Sequence, residues 1–360
     1  MRVVKNYLYN VGYQVLAIIV PLITSYYVSR VLSPEGVGAN MVAGATGMIG
    51  SALIDWLLLL NQEKQLNCKV IALGRNKQKA RARFASYWEQ AGFTFVEGDI
   101  NQGINCEQDV DYVLQAASNT HPLAYSKFPI STITTNVIGT NNLLDYAAKH
   151  KAKRVIFLSS VEVYGENRGD TDKFKEDYLG YLDCNTLRAG YPESKWTGEA
   201  LCQAYLKEKG LDCVILRLSR AFGPTLLATD SKALSQFLKK GIAKEDIVLK
   251  STGTQQYSYI YSLDAAATVL FALKHGESGQ AYNVAGAKCD TALRGLAETI
   301  AKLAGSQVVF ELPDQEEAAG YSTATKALLD TEKFQQLGFK ADTDLEQALA
   351  ATMWILAARS

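Results

Sequence analysis

Beyond residue 38, short apolar runs alternate along the chain with longer stretches of helical character. The apolar runs that predict strands are residues 41–43, 69–75, 93–100, 112–118 and 155–165. Helices are predicted at 51–60, where apolar residues dominate, and at 196–205. Strands that alternate with helices in this way form a parallel, doubly wound sheet. The pattern therefore predicts an α/β fold.

The N-terminal segment has a different character. Residues 6–29 form a stretch of 24 residues without a charge, and about 20 apolar residues suffice to cross a membrane as a helix. Residues 4–10 and 28–36 resemble the start of polysaccharide flippases. We consider two interpretations: a remnant of a gene fusion or an upstream start site, and a genuine membrane anchor. Any membrane contact is expected through residues 6–29 alone.

Composition and charge narrow the functional classes. The 37 basic and 37 acidic residues cancel, and no Lys/Arg-rich patch is present, so a nucleic-acid partner is not expected. The six cysteines are dispersed and form no C-x-x-C motif, which is typical of reduced thiols in a cytoplasmic protein. His121, His150 and His275 are far apart in the sequence. No metal site is predicted.

A glycine-rich turn follows the first predicted strand. Gly44, Gly47 and Gly50 form the pattern G-x-x-G-x-x-G between that strand and an apolar helix. Glycines in this context allow backbone N–H groups to approach a pyrophosphate at the helix N-terminus. Asp99 ends the third strand, where it would meet an adenine. The residues predicted to contact the dinucleotide are Gly44, Thr46, Gly47, Met48, Ile49, Gly50, Arg75, Asp99, Ile100, Ala116, Ala117, Ser118, Asn136, Ser159, Tyr191 and Lys195.

The end of the second strand bears on the choice between NAD and NADP. Arg75 follows Gly74 where an NAD-preferring site would carry an Asp or Glu for the ribose. The guanidinium either pairs with a 2′-phosphate, which favours NADP, or stacks on adenine or faces water. We expect NAD and leave NADP open.

A second set of residues carries the chemistry. The strand at 155–165 contains Ser160 and Glu162, and a predicted helix carries Tyr191 and Lys195 at i and i+4, on one face. The ammonium lowers the phenol pKa, so that a phenolate accepts a hydroxyl proton while hydride leaves for the nicotinamide. Ser160 is expected to hold the same substrate oxygen. Tyr191, Lys195, Ser160 and Glu162 are the predicted catalytic residues.

Together these motifs resemble the extended short-chain dehydrogenase family of nucleotide-sugar epimerases, 4,6-dehydratases and decarboxylases. The resemblance covers about residues 41–355 and includes the segments 217–224, 253–261 and 281–284. It implies a Rossmann-type sheet and a smaller lobe that binds the nucleotide of a UDP- or dTDP-sugar. We expect a hydrophobic segment at 1–37, a dinucleotide-binding domain at 38–218 and a substrate-binding lobe at 219–360 that returns strand and helix segments to the main domain. A homodimer is also expected.

A few positions distinguish between the reactions that members of this family catalyse. Residues 181–205 look most like UDP-glucuronate decarboxylases. Val161 stands where dehydratases carry the acid that protonates the leaving hydroxyl, which argues against dehydration. Arg220 replaces the family's usual Asn and Tyr257 its usual Arg, so that Arg220 is a candidate for the same charge pairing. The predicted substrate-binding residues are Ser160, Glu162, Arg188, Arg220 and Tyr257.

We therefore predict an enzyme that transiently oxidises the sugar C4, with decarboxylation as the leading reaction. The alternatives are a 4-epimerase, a 4,6-dehydratase and, in another class, a non-catalytic cofactor-binding or membrane-tethered assembly protein.

Overall fold

The computed structural model describes residues 38–62, 67–120, 127–227, 229–311 and 325–358. The hydrophobic segment predicted at 1–37 lies outside these residues, as does His121. The strands are β1 (Ala39–Ala43), β2 (Lys69–Gly74), β3 (Phe93–Glu97), β4 (Tyr112–Gln115), β5 (Arg154–Ser160), β6 (Cys213–Leu218), β7 (Arg220–Phe222), β8 (Ile247–Leu249), β9 (Gln256–Tyr261), β10 (Ala281–Val284), β11 (Asp290–Ala292), β12 (Val308–Phe310) and β13 (Lys326–Ala327).

The described α-helices are α1 (Met48–Gln62), α2 (Lys77–Arg83), α3 (Pro129–Lys149), α4 (Gly190–Lys209), α5 (Ala233–Ile242), α6 (Ser262–His275), α7 (Leu293–Ala304), α8 (Glu332–Gln335) and α9 (Leu345–Ala357). Short 3₁₀ helices lie at Ile100–Gln102, Val161–Tyr164 and Leu187–Ala189. None of the described helices combines the length and the apolar character that a membrane crossing requires.

The main sheet has seven strands in the order β10-β6-β5-β4-β1-β2-β3, and all of its pairs are parallel. The order reverses at β1, which lies between β2 and β4. In open α/β sheets, ligands bind at such a switch point, outside the carboxyl ends of the strands. The predicted doubly wound parallel sheet is confirmed, and its switch point places the glycine turn beside the end of β4.

Strand β1 is short, yet both of its faces are covered. Val42 packs in one core with residues of α1 and α6, whereas Met41 and Ala43 pack in another core with residues of α3. Alternate residues of a strand point to opposite faces, so helices on both sides bury all of its residues after Ala39. The strand begins where the Asp111 carboxylate accepts a hydrogen bond of 2.8 Å from the Ala39 backbone N–H.

A smaller unit lies beyond the main sheet. Strands β11, β9 and β13 form a second sheet in which β7 also pairs with β9, and β8 pairs with β12. A third core joins these strands with α5, α7 and α9 and with the 3₁₀ helix that follows β5. Strand β10 and helix α6 return to the main sheet and its core. The predicted domain boundary at residue 218 remains a prediction.

Candidate active site

The glycine turn lies against the end of β4 with no room for side chains. Gly44 has a φ of 80°, and a Cβ there would lie 2.7 Å from the backbone carbonyl of Ala116. A Cβ on Gly50 would lie 2.5 Å from the Gly44 carbonyl oxygen. No acidic residue occupies the first turn of α1, so the helix N-terminus keeps its positive potential for an anion. The turn therefore fits the pyrophosphate of a dinucleotide.

The adenine side of the site is formed at the end of β3. Asp99 is the N-cap of the 3₁₀ helix Ile100–Gln102 and accepts a hydrogen bond of 3.0 Å from the Asn101 backbone. Ile100 is buried below it and lies against Gly139 of α3. Arg75, at the end of β2, is exposed. Asp99 and Arg75 thus have accessible positions at the correct sheet edge, whereas Ile100 is buried, and the contacts of all three with the dinucleotide remain predictions.

Tyr191 and Lys195 lie on the buried face of α4, below the end of β5. The side chains of Ser160 and Ser118 both form hydrogen bonds with the Tyr191 phenol. Burial, together with the nearby Glu162 carboxylate, raises the pKa of Tyr191 well above its ordinary value, and the two serine bonds oppose that rise. Of the other predicted catalytic residues, Ser160 thus bonds the Tyr191 phenol, and Glu162 lies near enough for its charge to act on that phenol.

Lys195 is buried one helical turn further along α4. Its Nζ donates a hydrogen bond of 2.7 Å to the Leu158 carbonyl and lies 6.0 Å from the centre of the Tyr191 ring. Burial lowers the pKa of Lys195 to about 8, and the charge of Glu199 acts in the opposite direction. That this ammonium favours the phenolate form of Tyr191 stays a prediction.

A chain of hydrogen bonds connects the end of β4 with the first turn of α4. Ser118 donates to Asn136 Oδ1 at 2.7 Å, Asn136 Nδ2 donates to Ser194 Oγ at 2.9 Å, and Ser194 Oγ donates to the Tyr191 carbonyl at 2.9 Å. Both amide atoms of the fully buried Asn136 are used in this chain. Its structural role is to orient Ser118 and the turn that carries Tyr191.

The substrate side of the site is rich in charge. Glu162 pairs with Arg188 at 3.6 Å. The guanidinium of Arg220 stacks on the Tyr257 ring, 3.5 Å from its centre, because β7 and β9 are neighbours in the second sheet. The two positions at which this sequence departs from the family pattern are therefore in direct contact.

Lys232 was not singled out from the sequence. Burial and the charge of Arg220 lower its pKa, whereas Asp230 and Glu162 raise it. Lys232 is the residue before α5, and its interactions with Arg220 and Glu162 arise from tertiary packing that has no local sequence signal. Lys232 is therefore a second cation near Arg220, on the predicted substrate side.

Thr225 was also missed. Its hydroxyl donates a hydrogen bond of 2.9 Å to the Met48 carbonyl, across 177 positions, and so connects the smaller unit with the glycine turn. Among the described residues, no group of three or more His, Cys, Asp and Glu side chains could hold a metal.

Comparison with known proteins agrees with this geometry. The family model of the NAD dependent epimerase/dehydratase family matches residues 40–285. The chain belongs to this family. Membership accounts for the parallel sheet and the glycine turn, and it makes NAD the cofactor of this chain. The match begins after residue 37, and no comparison supports the resemblance of the N-terminal segment to flippases.

Among curated members of the family, UDP-glucuronic acid decarboxylase 1 of Xenopus tropicalis is 29% identical over 225 residues. That match covers 62% of this chain and 51% of the relative, so the chain spans about half the length of this relative. UDP-glucuronic acid decarboxylase 5 of Arabidopsis thaliana is 27% identical over 272 residues, which is 76% of each chain.

Solved structures of the family share the fold. The dTDP-glucose 4,6-dehydratase of Bacillus anthracis, in complex with NAD, has a TM-score of 0.74 and 21% identity over 89% of this chain and 96% of its own. The UDP-glucuronic acid 4-epimerase of Bacillus cereus, in complex with UDP-glucuronic acid and NAD, has a TM-score of 0.74 and 22% identity over 88% of this chain and 98% of its own.

Proposed function

We propose that this chain is an NAD-dependent enzyme that transiently oxidises the C4 hydroxyl of a nucleotide sugar. The observation that carries the proposal is the phenol of Tyr191, which lies between Ser160 and Ser118 and one helical turn from the Lys195 ammonium. General-base removal of a hydroxyl proton requires such a phenol, with an ammonium to favour its ionised form.

The residues of this site have separate tasks. The glycine turn and the N-terminus of α1 would hold the pyrophosphate of NAD, whose nicotinamide supplies the hydride acceptor. Tyr191 takes the proton of the C4 hydroxyl while the C4–H bond breaks and its electron pair leaves as hydride. Ser160 holds the same sugar oxygen, and Lys195 stabilises the phenolate. The sugar is then a C4 ketone.

Decarboxylation is the reaction we favour. With a carboxylate at C6, the C4 ketone makes the sugar a β-keto acid, so the C5–C6 bond breaks and CO₂ leaves while the electron pair stays on C5. Protonation of C5 and return of hydride and proton to C4 give a UDP-pentose. Val161 supplies no acid for loss of a C6 hydroxyl, and the Arabidopsis decarboxylase matches over 76% of its length. We infer UDP-glucuronate as the substrate.

The charges of the smaller unit support a diphosphate site. The Nη1 of Arg220 is buried and has no hydrogen-bond partner within the described part of the chain. Lys232 lies close enough for the Arg220 charge to lower its pKa. Two cations held near each other create a positive potential that a nucleotide diphosphate would neutralise. Arg188, paired with Glu162, would lie nearer the sugar.

Two further expectations concern the setting of the enzyme. Helix α3 exposes Ile130, Ile133 and Ile138, and we propose that this face contributes to a homodimer. The six cysteines are free thiols, which supports a reducing compartment such as the cytoplasm.

A product panel tests the function. Purified full-length protein with NAD is incubated with UDP-glucuronate, UDP-glucose, UDP-N-acetylglucosamine and dTDP-glucose, and the products are identified by mass spectrometry and NMR. We expect UDP-glucuronate alone to lose the mass of CO₂. An unchanged mass with inverted C4 would establish a 4-epimerase, loss of water a dehydratase, and no product from any sugar the non-catalytic alternative.

A further inference from the structure

A buried carboxylate lies one helical turn beyond Lys195. Glu199 on α4 accepts a hydrogen bond of 2.5 Å from Ser159 Oγ. It also accepts bonds from the guanidinium of Arg217, at 3.0 Å from Nε and 2.7 Å from the second terminal nitrogen. All three side chains are largely shielded from solvent. Nothing in the proposed chemistry requires Glu199 to touch the sugar.

The ion pair connects the elements that carry the catalytic residues. Ser159 and Arg217 face each other in the register of β5 and β6. Arg217 continues to the Tyr164 hydroxyl at 2.9 Å, in the 3₁₀ helix that follows Ser160. The residue before Ser159 accepts the hydrogen bond of Lys195. Two successive residues of β5, Leu158 and Ser159, are therefore hydrogen-bonded to residues of two successive turns of α4.

Few titratable groups lie near Lys195. Those on α4 are Tyr191, Glu199 and Cys202. Cys202 is neutral, because the neighbouring Cys213 and burial raise its pKa well above the ordinary value. From β5 the Phe157 ring and a backbone carbonyl face the ammonium. The charge from β6 is that of Arg217, which lies beyond Glu199. Among these described groups, the anion that acts on Lys195 is Glu199.

We propose that Glu199 and Arg217 form a positioning ion pair, in which Glu199 keeps Lys195 protonated beside Tyr191 while Arg217 holds the carboxylate in register. The inference rests on the proposed roles of Tyr191 and Lys195. Substitution of a purely structural ion pair would change the stability of the fold alone. Substitution of a positioning pair also changes the proton affinity of Lys195, and loss of Glu199 and loss of Arg217 change it in opposite directions.

The proton affinity of Lys195 is measured directly, without a substrate. Full-length protein labelled with ¹³C at lysine Cε is titrated with NAD bound, and the Lys195→Met spectrum assigns the resonance. In Glu199→Gln the midpoint falls by roughly one pH unit, because the ammonium loses its anion. In Arg217→Gln the midpoint rises, because the carboxylate loses its cation. Glu199→Asp retains the charge and stays closer to wild type.

Activity gives the second readout. With UDP-glucuronate, the alkaline limb of the rate profile moves to lower pH in Glu199→Gln and to higher pH in Arg217→Gln. If one of the two variants does not fold, the direction of the shift in the other variant still tests the inference. Unchanged midpoints, or shifts of the same sign in both variants, overturn the inference. Near-wild-type turnover of Tyr191→Phe would instead overturn the proposed function, so the two failures are distinguishable.

Discussion

The glycine turn after β1 is shaped by backbone atoms, whereas the region around Arg220 is shaped by charged side chains. At the turn, the backbones of Gly44 and Ala116 approach so closely that no Cβ fits, and the positive potential comes from the end of α1. At the proposed substrate side, the guanidinium of Arg220 stacks on the Tyr257 ring and interacts electrostatically with Lys232. A backbone site has the same chemistry in every member of a fold, whereas a side-chain site determines which ligand is accepted.

The largest expected effect separates chemistry from cofactor binding. Tyr191→Phe removes the phenol oxygen and keeps the ring, so turnover should fall by roughly two or more orders of magnitude. NAD binding should survive, because the substitution leaves intact the glycine turn that is proposed to hold the pyrophosphate. Turnover assays and NAD titration measure the two quantities. Tyr205→Phe on the same helix is the control, since its half-exposed hydroxyl bonds Asn141 and no other side chain of the described residues. Similar losses in both variants would contradict the assignment.

The second effect concerns the backbone region. Gly44→Ala places a Cβ within 2.7 Å of the Ala116 backbone at a φ of 80°, so NAD binding should weaken by at least tenfold, in line with about 1–3 kcal/mol of backbone strain. Gly210→Ala is the matched control, because Gly210 has a φ of 66° and open space around the new Cβ. It should lose some stability and retain NAD affinity. Equal NAD affinities in the two variants would show that close approach at the turn is unimportant.

The third effect concerns the charged region. Arg220→Met retains apolar contact with Tyr257 and removes the cation, so the KM for the nucleotide sugar should rise about tenfold to a hundredfold, the equivalent of roughly 1.5–3 kcal/mol for a charge-assisted hydrogen bond. NAD affinity should not change. Arg294→Met, which removes an exposed arginine paired with Glu298, serves as the control. A KM for Arg220→Met that matches this control would remove Arg220 from the substrate site.

The smallest effect sharpens the choice of cofactor. If Arg75 pairs with a 2′-phosphate, Arg75→Ala should lose NADP affinity selectively, by about 1.5–3 kcal/mol. If it stacks on adenine or faces water, NAD and NADP should lose the same small amount. Titration of both dinucleotides against Arg75→Ala, with the exposed Lys79→Ala as control, decides between the two. We expect the second outcome, since the family is NAD-dependent.

The features that could be predicted from the sequence involve residues that are close together along the chain. The glycine turn spans seven residues, and Tyr191 and Lys195 are four apart on one helix, so strand and helix geometry alone brings each set together. The hydrogen bond between Ser118 and Tyr191 joins residues 73 positions apart (191 − 118), and its partners are set by how α3 and α4 pack on the sheet. Lys232 likewise reaches the site only through the packing of α5. No periodicity or spacing encodes such contacts.

The measurement that tests the central claim most directly uses UDP-glucuronate with deuterium at C4. If C4 is oxidised and then reduced, turnover with NAD bound should be slower than with the unlabelled sugar. The deuterium should return to C4 of the UDP-pentose, because hydride leaves to and comes back from the same dinucleotide. Turnover at the same rate for both sugars, or a product formed with deuterium exchanged for solvent hydrogen, would contradict C4 oxidation by a retained hydride.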